Sequence, residues 1–247
     1  MSDNPYEAAA GGGTPVTPED LPPATTVLTN TIDDLKDNFV SYLSAGFGMF
    51  IGIFMLVVAL IIGIMVPVAP GIIMENELVA LGGGAVALLL YIVGLFTLSL
   101  IIVPSMQMSM YRSANQQIGD GMPMSMGSAF SKTSEDRWSF IGAYLGMTVC
   151  ISIGAMFCYF PGIILSLMLP IAPVMVAIRG QSAGDALGKT FNFIQANPGW
   201  HLAVGALGLL SAIVLSFIPL VGMFLTYPFM AAYHVNTVRI LMPNESY

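Results

Sequence analysis

RGQSAGDALGKTFNFIQANPGW, from Arg179 to Trp200, joins two long apolar stretches, and its reading decides the fold. Ala183, Leu187, Thr190, Phe191 and Ile194 recur at helical spacing, while Asp185, Lys189, Asn192 and Gln195 fall elsewhere on the wheel. That is the pattern of a helix lying on a surface. SMGSAFSKT, from Ser125, matches SAGDALGKT, from Ser182, in order, size and charge, and it too leads to a tryptophan and an apolar run. A more distant copy, NTIDDLKDNFVSYL from Asn30, carries Ile32, Leu35, Phe39 and Leu43 at the same spacing. The expectation is an all-α polytopic membrane protein of three tandem units, each an interfacial amphipathic helix followed by two membrane spans.

Composition agrees. The chain is 56% hydrophobic and only 9% charged, far below the roughly 25% charged residues of soluble domains. Apolar runs long enough to cross a hydrocarbon core, for which about 20 residues suffice, recur about six times. The spans are expected at 45–66, 78–103, 138–160, 162–178, 199–218 and 220–238, with interfacial helices at 30–43, 125–135 and 182–196. Together these make a membrane domain over 29–241, after an acidic, Pro- and Gly-rich tail (1–28) expected to be disordered, and before a short tail (242–247). No positive n-region precedes an apolar stretch at the start, so no cleaved signal peptide is expected. Pro67, Pro70 and Gly71 are expected to end the first span, and Pro161-Gly162 to turn the third into the fourth.

Lys36, Arg112, Lys132, Arg137, Arg179, Lys189 and Arg239 are the only cationic side chains, and on the six-span map all lie on one side. The positive-inside rule then puts both termini and all three surface helices in the cytoplasm, with the cytoplasmic (inner) membrane as the location. Trp138 and Trp200 open the third and fifth spans as interfacial aromatic residues do. Net charge −7 and sparse Lys and Arg exclude nucleic acid as a partner. The expected partners are the lipid bilayer and a membrane protein or second copy of the chain, with Lys132, Arg137, Trp138, Lys189 and Trp200 as the contact residues.

Pro104, Pro170 and Pro228 precede Arg112, Arg179 and Arg239 by two to three helical turns, so each even span is expected to kink. Polar groups near those kinks, Ser105, Gln107, Ser109, Thr226, Tyr227 and Asn236, are candidates to line a solute path. Small residues four apart, Gly48/Gly52, Gly142/Gly146 and Gly208/Ala212, point to close helix contacts and to the odd spans as the packed centre. No predicted span contains Asp, Glu, Lys or Arg, which counts against ion-coupled transport. No P-loop, HExxH or Gly-x-Ser-x-Gly motif is present. His201 and His234 read as boundary residues and Cys150 and Cys158 as packing, so no enzyme, resident cofactor, catalytic residue or metal site is expected. The runs Met106-Gln-Met-Ser-Met110 and Met122-Pro-Met-Ser-Met126 leave one metal alternative, Cu(I) held by thioethers.

The run GIILSLMLPIAPVMVAIRGQSAGDALGKTFNFIQANPGWHLAVGALGLL resembles the YciC-like bacterial membrane proteins and the membrane domain attached to some glycerophosphodiester phosphodiesterases. The likeness rests on Gly184, Ala186, Leu187, Lys189 and Thr190, followed by Asn197-x-x-Trp200; it covers the C-terminal half directly and the N-terminal half through the repeat. It implies a six-span inner-membrane protein linked to envelope upkeep, and it brings no catalytic residues. No phosphodiesterase segment accompanies it here, which counts against lipid hydrolysis. The leading expectation is a non-enzymatic scaffold or accessory subunit that presents its amphipathic helices at the cytoplasmic face. The alternative is a permease or carrier for a small neutral or amphiphilic solute.

Overall fold

The structure, a computed structural model, describes residues 21–73, 77–130, 136–157, 159–219 and 221–243. Among these every regular element is helical. Helix α1 (Ala24–Asp37) leads into α2 (Phe39–Ile73), and α3 (Glu77–Thr97) continues through a π segment (Leu98–Ile102) into α4 (Val103–Asp120). A 3-10 segment (Met126–Phe130) precedes α5 (Arg137–Phe157), α6 (Tyr159–Met168) and α7 (Ile171–Arg179). The chain then forms α8 (Ala183–Ala196), α9 (Pro198–Ser216) and α10 (Val221–Leu241). Five helices, Phe39–Pro67, Leu81–Asp120, Arg137–Phe157, Tyr159–Arg179 and Pro198–Ser216, are long and apolar enough to cross a membrane. The expected sixth, α10, has 21 residues but carries His234, Asn236 and Arg239, which lower its apolarity.

Several boundaries differ from the sequence expectation, each for a local reason. Helix α1 begins at Ala24, inside the expected tail, because Val27 and Thr31 are fully buried against the bundle and give that stretch apolar surface to bury. Helix α2 runs straight through Pro67 and Pro70, since apolar surroundings leave a backbone no water to bond and keep it helical around a proline. Pro161 and Gly162 lie inside α6 and make no turn; Pro161 sits in the first helical turn, where its missing N–H is not needed. Residues Ser113 to Asp120, which fall between the expected second span and the helix at 125–135, extend α4 until Gly121 ends it with φ 68°. Lys132, Cys158, the second half of the expected helix at 125–135 and the end residues 1–20 and 244–247 lie outside the described residues.

The packed centre is the main correction. It is built chiefly from α4, α7 and α10, which belong to the expected even spans and all touch one another, with Tyr42, Ala45 and Met49 of α2 and Phe140 and Ala143 of α5 joining the same buried cluster. Every residue from Ile171 to Ala177 of α7 is buried, as are Met106, Met108, Met110 and Ala114 of α4 and Ala231, Ala232, Val235 and Val238 of α10. The even spans carry the polar side chains that lipid would not satisfy, such as Ser109, Gln117, Asn236 and Thr237, all buried, so they go inward.

The odd-span glycines do make close contacts, with partners other than one another. A Cβ on Gly52 would lie 2.7 Å from Phe130 Cε1, and one on Gly48 2.9 Å from Met126 Cγ. On α5, a Cβ on Gly142 would lie 3.2 Å from Ala183 Cβ and one on Gly146 2.6 Å from Leu187 Cδ1. Thus Gly48/Gly52 admit the 3-10 segment, and Gly142/Gly146 admit α8, through residues at matching places in SMGSAF and SAGDAL. Helix α1 in turn packs on α9 and α10.

Candidate functional site

Three features at or near the basic end of the bundle carry chemistry. The first is a closed ring of arginines from α4, α7 and α10, with Arg112 midway along α4 and Arg179 and Arg239 in the last turns of α7 and α10. Arg112 Nε donates to the Ala177 carbonyl at 2.9 Å, Arg179 Nη2 to the Met242 carbonyl at 2.6 Å, and Arg239 Nη2 to the Asn115 carbonyl at 3.1 Å. Each inner half-helix therefore reaches the next and the third returns to the first. Helix C-termini expose carbonyls and a partial negative charge, and a guanidinium answers both. Arg112 also pairs with Asp136 at 3.0 Å, and Arg239 Nε donates to Asn115 Oδ1 at 3.0 Å.

The second is a hydrogen-bonded node on Asp34 of α1. Its carboxylate accepts from the Tyr42 hydroxyl, from Gln117 Nε2 at 3.0 Å and from Asn38 Nδ2 at 3.0 Å. Gln117 Oε1 accepts from the Met124 amide at 3.0 Å, so one carboxylate joins α1, α2, α4 and the loop after α4. Neither Asp34 nor Gln117 stands out in the sequence, since the partners are 83 residues apart.

The third is a cavity of about 350 Å³ between α2, α4 and α10. Gln107, Thr226 and Tyr227, three of the polar groups expected beside the kinks, line it together with Met49, Met110, Tyr111, Met230, Ala231 and His234. Ser105 and Ser109 instead donate to the carbonyls of Ile101 and Ser105, along the helix weakened by Pro104. Asn236 donates to Thr31 Oγ1 at 3.0 Å, tying α10 to α1. The three prolines act differently. Pro104 follows the π segment directly, and Pro170 separates α6 from α7. Pro228 sits within an unbroken α10, and the Phe224 carbonyl that it cannot bond faces Gly46, where a Cβ would overlap it.

The expected contact residues divide. Trp138 is 69% exposed with the Arg137 guanidinium 6.0 Å from its ring centre. Trp200 is half-buried and donates from Nε1 to the Pro22 carbonyl at 2.8 Å, with the buried His201 edge-on beside it. Lys189 is half-buried on α8, whose Ala186 and Thr190 are fully buried. The methionine runs do not form two facing triplets: Met106, Met108, Met110 and Met124 enter the core, whereas Met122 and Met126 are about half exposed. No family model, curated protein or solved structure matches this chain, so any functional reading rests on these three features.

Proposed function

We propose that this chain is a six-span, non-enzymatic protein of the cytoplasmic membrane that serves as a scaffold or accessory subunit through its basic, cytoplasmic end. The observation that carries the reading is the clustering at that end of the arginine ring and the docked surface segments. Positive charge on one side of the spans argues for a cytoplasmic face. With 21 residues, α10 meets the length that a span needs, and its lower apolarity suits a helix surrounded by other helices. The ring closing through α4, α7 and α10, and the glycine contacts repeated at Gly48/Gly52 and Gly142/Gly146, support three related units about a pseudo-threefold axis. The likeness to the YciC-like group fits the same arrangement.

Docking of the apolar faces of α1 and α8 leaves their polar faces for a partner, with Asp185, Gly188 and Gln195 exposed on α8. The test is purification of the full chain in mild detergent followed by mass spectrometry, with Gln195→Arg and Asp185→Lys in parallel. A stoichiometric membrane-protein partner that is lost in these variants is the expected result. Recovery of the chain alone, from membranes that contain it at natural levels, overturns the reading. A reporter fused after Tyr247 that is active only outside the cell would overturn the orientation.

A second reading, binding or carriage of a small neutral or amphiphilic solute, is favoured by the cavity beside Gln107, Thr226 and Tyr227. It predicts solute flux in vesicles that falls on Tyr227→Leu. Flux unchanged by that substitution counts against it.

A further inference from the structure

The cavity between α2, α4 and α10 is bordered by soft donors as well as by Gln107, Thr226 and Tyr227. Met49, Met110 and Met230 line it from three different helices, and His234 lines it from α10. Met49 and Met110 are almost fully buried. The His234 Nδ1 is buried with no hydrogen-bond partner among the described residues, and the ring lies 6.3 Å from Tyr111 and 6.1 Å from Tyr233, centre to centre. An orphaned imidazole nitrogen costs free energy unless something accepts its lone pair or its proton. Three methionines and one histidine thus border a single space, and unbranched methionine side chains are flexible enough to turn their sulfurs toward a ligand in it.

We propose that this cavity is a Cu(I) site, with the Met49, Met110 and Met230 sulfurs and a ring nitrogen of His234 as ligands. The choice of metal follows from the donors. Thioethers are soft and select Cu(I), and imidazole suits copper as well. Among the described residues no Asp or Glu lines the cavity, so it lacks the carboxylates on which Mg²⁺ and Ca²⁺ sites are built. Its all-neutral donor set also suits a single positive charge better than a double one, because the cost of burying an ion rises with its charge. This ligand set differs from the one that the Met-x-Met-x-Met spacing suggests: Met110 alone comes from those runs, and the other ligands stand 61 residues before it and 120 and 124 after it. The site goes beyond both functional readings above and depends on neither.

The test uses the full chain in detergent, given Cu(I) anaerobically in competition with a colorimetric Cu(I) chelator. Retention of one Cu(I) per chain is expected. Met110→Leu and Met230→Leu keep volume and fold, and each is expected to weaken retention by at least the ~10-fold that loss of an outer-shell partner costs. Met108→Leu, buried outside the cavity, is expected to leave it unchanged. X-ray absorption of the loaded chain should show sulfur scattering with a nitrogen contribution that His234→Phe removes. No retained copper overturns the proposal, as does copper held equally well by a chain carrying Met110→Leu, Met230→Leu and His234→Phe together. An organic molecule recovered with the chain, without Cu(I) uptake, also overturns it and leaves the solute reading standing.

Discussion

Helices α3 and α7 are both strongly apolar, yet they meet opposite surroundings. From Leu81 to Thr97 only Ala87 of α3 is buried, and Leu81, Leu88, Leu89 and Phe96 are exposed. In α7 no residue between Ile171 and Ala177 is exposed. Because a lipid tail is as apolar as leucine, apolarity alone does not distinguish a lipid-facing helix from a buried one. The difference lies in small residues and polar anchors. Gly82 and Gly84 on α3 have open space where a Cβ would go, whereas at Gly46 and Gly205 a Cβ would overlap the carbonyls of Phe224 and Leu167. A glycine is a packing element only where another backbone comes close.

Gly46 gives the largest expected effect. Gly46→Val places a branched side chain on the Phe224 carbonyl, and the helices must separate or α10 must bend. Overpacking against backbone is expected to cost about 3 kcal/mol, read as a large drop in the thermal midpoint in detergent. Gly82→Val is expected to leave the midpoint in place. If the two variants behave alike, the contrast between the packed start of α2 and the open face of α3 is wrong.

Asp34→Ala comes next. It removes the acceptor of three side-chain donors and leaves Tyr42, which is fully buried, and Gln117, 3% exposed, without it. The expected loss is ~2 to 3 kcal/mol. Faster proteolysis between Gly121 and Met124 should accompany it, since Gln117 would no longer be held to receive the Met124 amide. Proteolysis unchanged alongside a lowered midpoint would show that the node stabilises α1 alone.

The arginine ring sharpens the comparison further. Arg239→Ala and Arg179→Ala are each expected to cost about 1 to 2 kcal/mol, through lost charge-assisted bonds to Asn115 of α4 and to the Met242 carbonyl after α10. Arg112→Ala is expected to cost more, because the ion pair with Asp136 goes as well. In thermal unfolding, the double variant Arg179→Ala with Arg239→Ala should depart from additivity, because both residues belong to one closed ring.

These features differ in how readily the sequence discloses them. Apolar runs and the one-sided Lys and Arg set out the helices, because length and charge are local properties. Pro104 and Pro170 mark real irregularities, while Pro67 and Pro70 do not, since a proline breaks a helix only where the backbone has an alternative partner. The choice of even spans for the centre was open to the same reasoning: Ser109, Asn236, Thr237 and His234 are polar groups inside otherwise apolar spans, and such groups avoid lipid. Glycine pairs pointed the other way because they mark close approach without naming the partner, which proved to be a surface segment for Gly48/Gly52 and Gly142/Gly146 and Tyr233 of α10 for Gly208. The Asp34 node and the Met49, Met110, Met230 and His234 cluster are long-range products of folding, and no spacing along the chain announces them.

The smallest expected effect concerns the first hairpin. Leu89→Ala and Ile92→Ala on α3 remove side chains that are 61% and 44% exposed. Lipid fills the space left behind, so no cavity forms and the midpoint should move by less than that of about 0.5 kcal/mol. The same pair of substitutions asks what covers α3, because a helix that packs, among the described residues, mainly on α2 has most of its surface free for lipid or for a partner span. Stability and association then separate: an unchanged midpoint together with loss of a co-purifying protein would place the partner on α3 and away from the basic end. An unchanged midpoint with the partner retained leaves α3 to lipid and the basic end to recognition. A midpoint that falls by as much as it does for Gly46→Val would mean that α3 is packed as tightly as α7, and the division of the molecule into an inner bundle and an outer hairpin would fail.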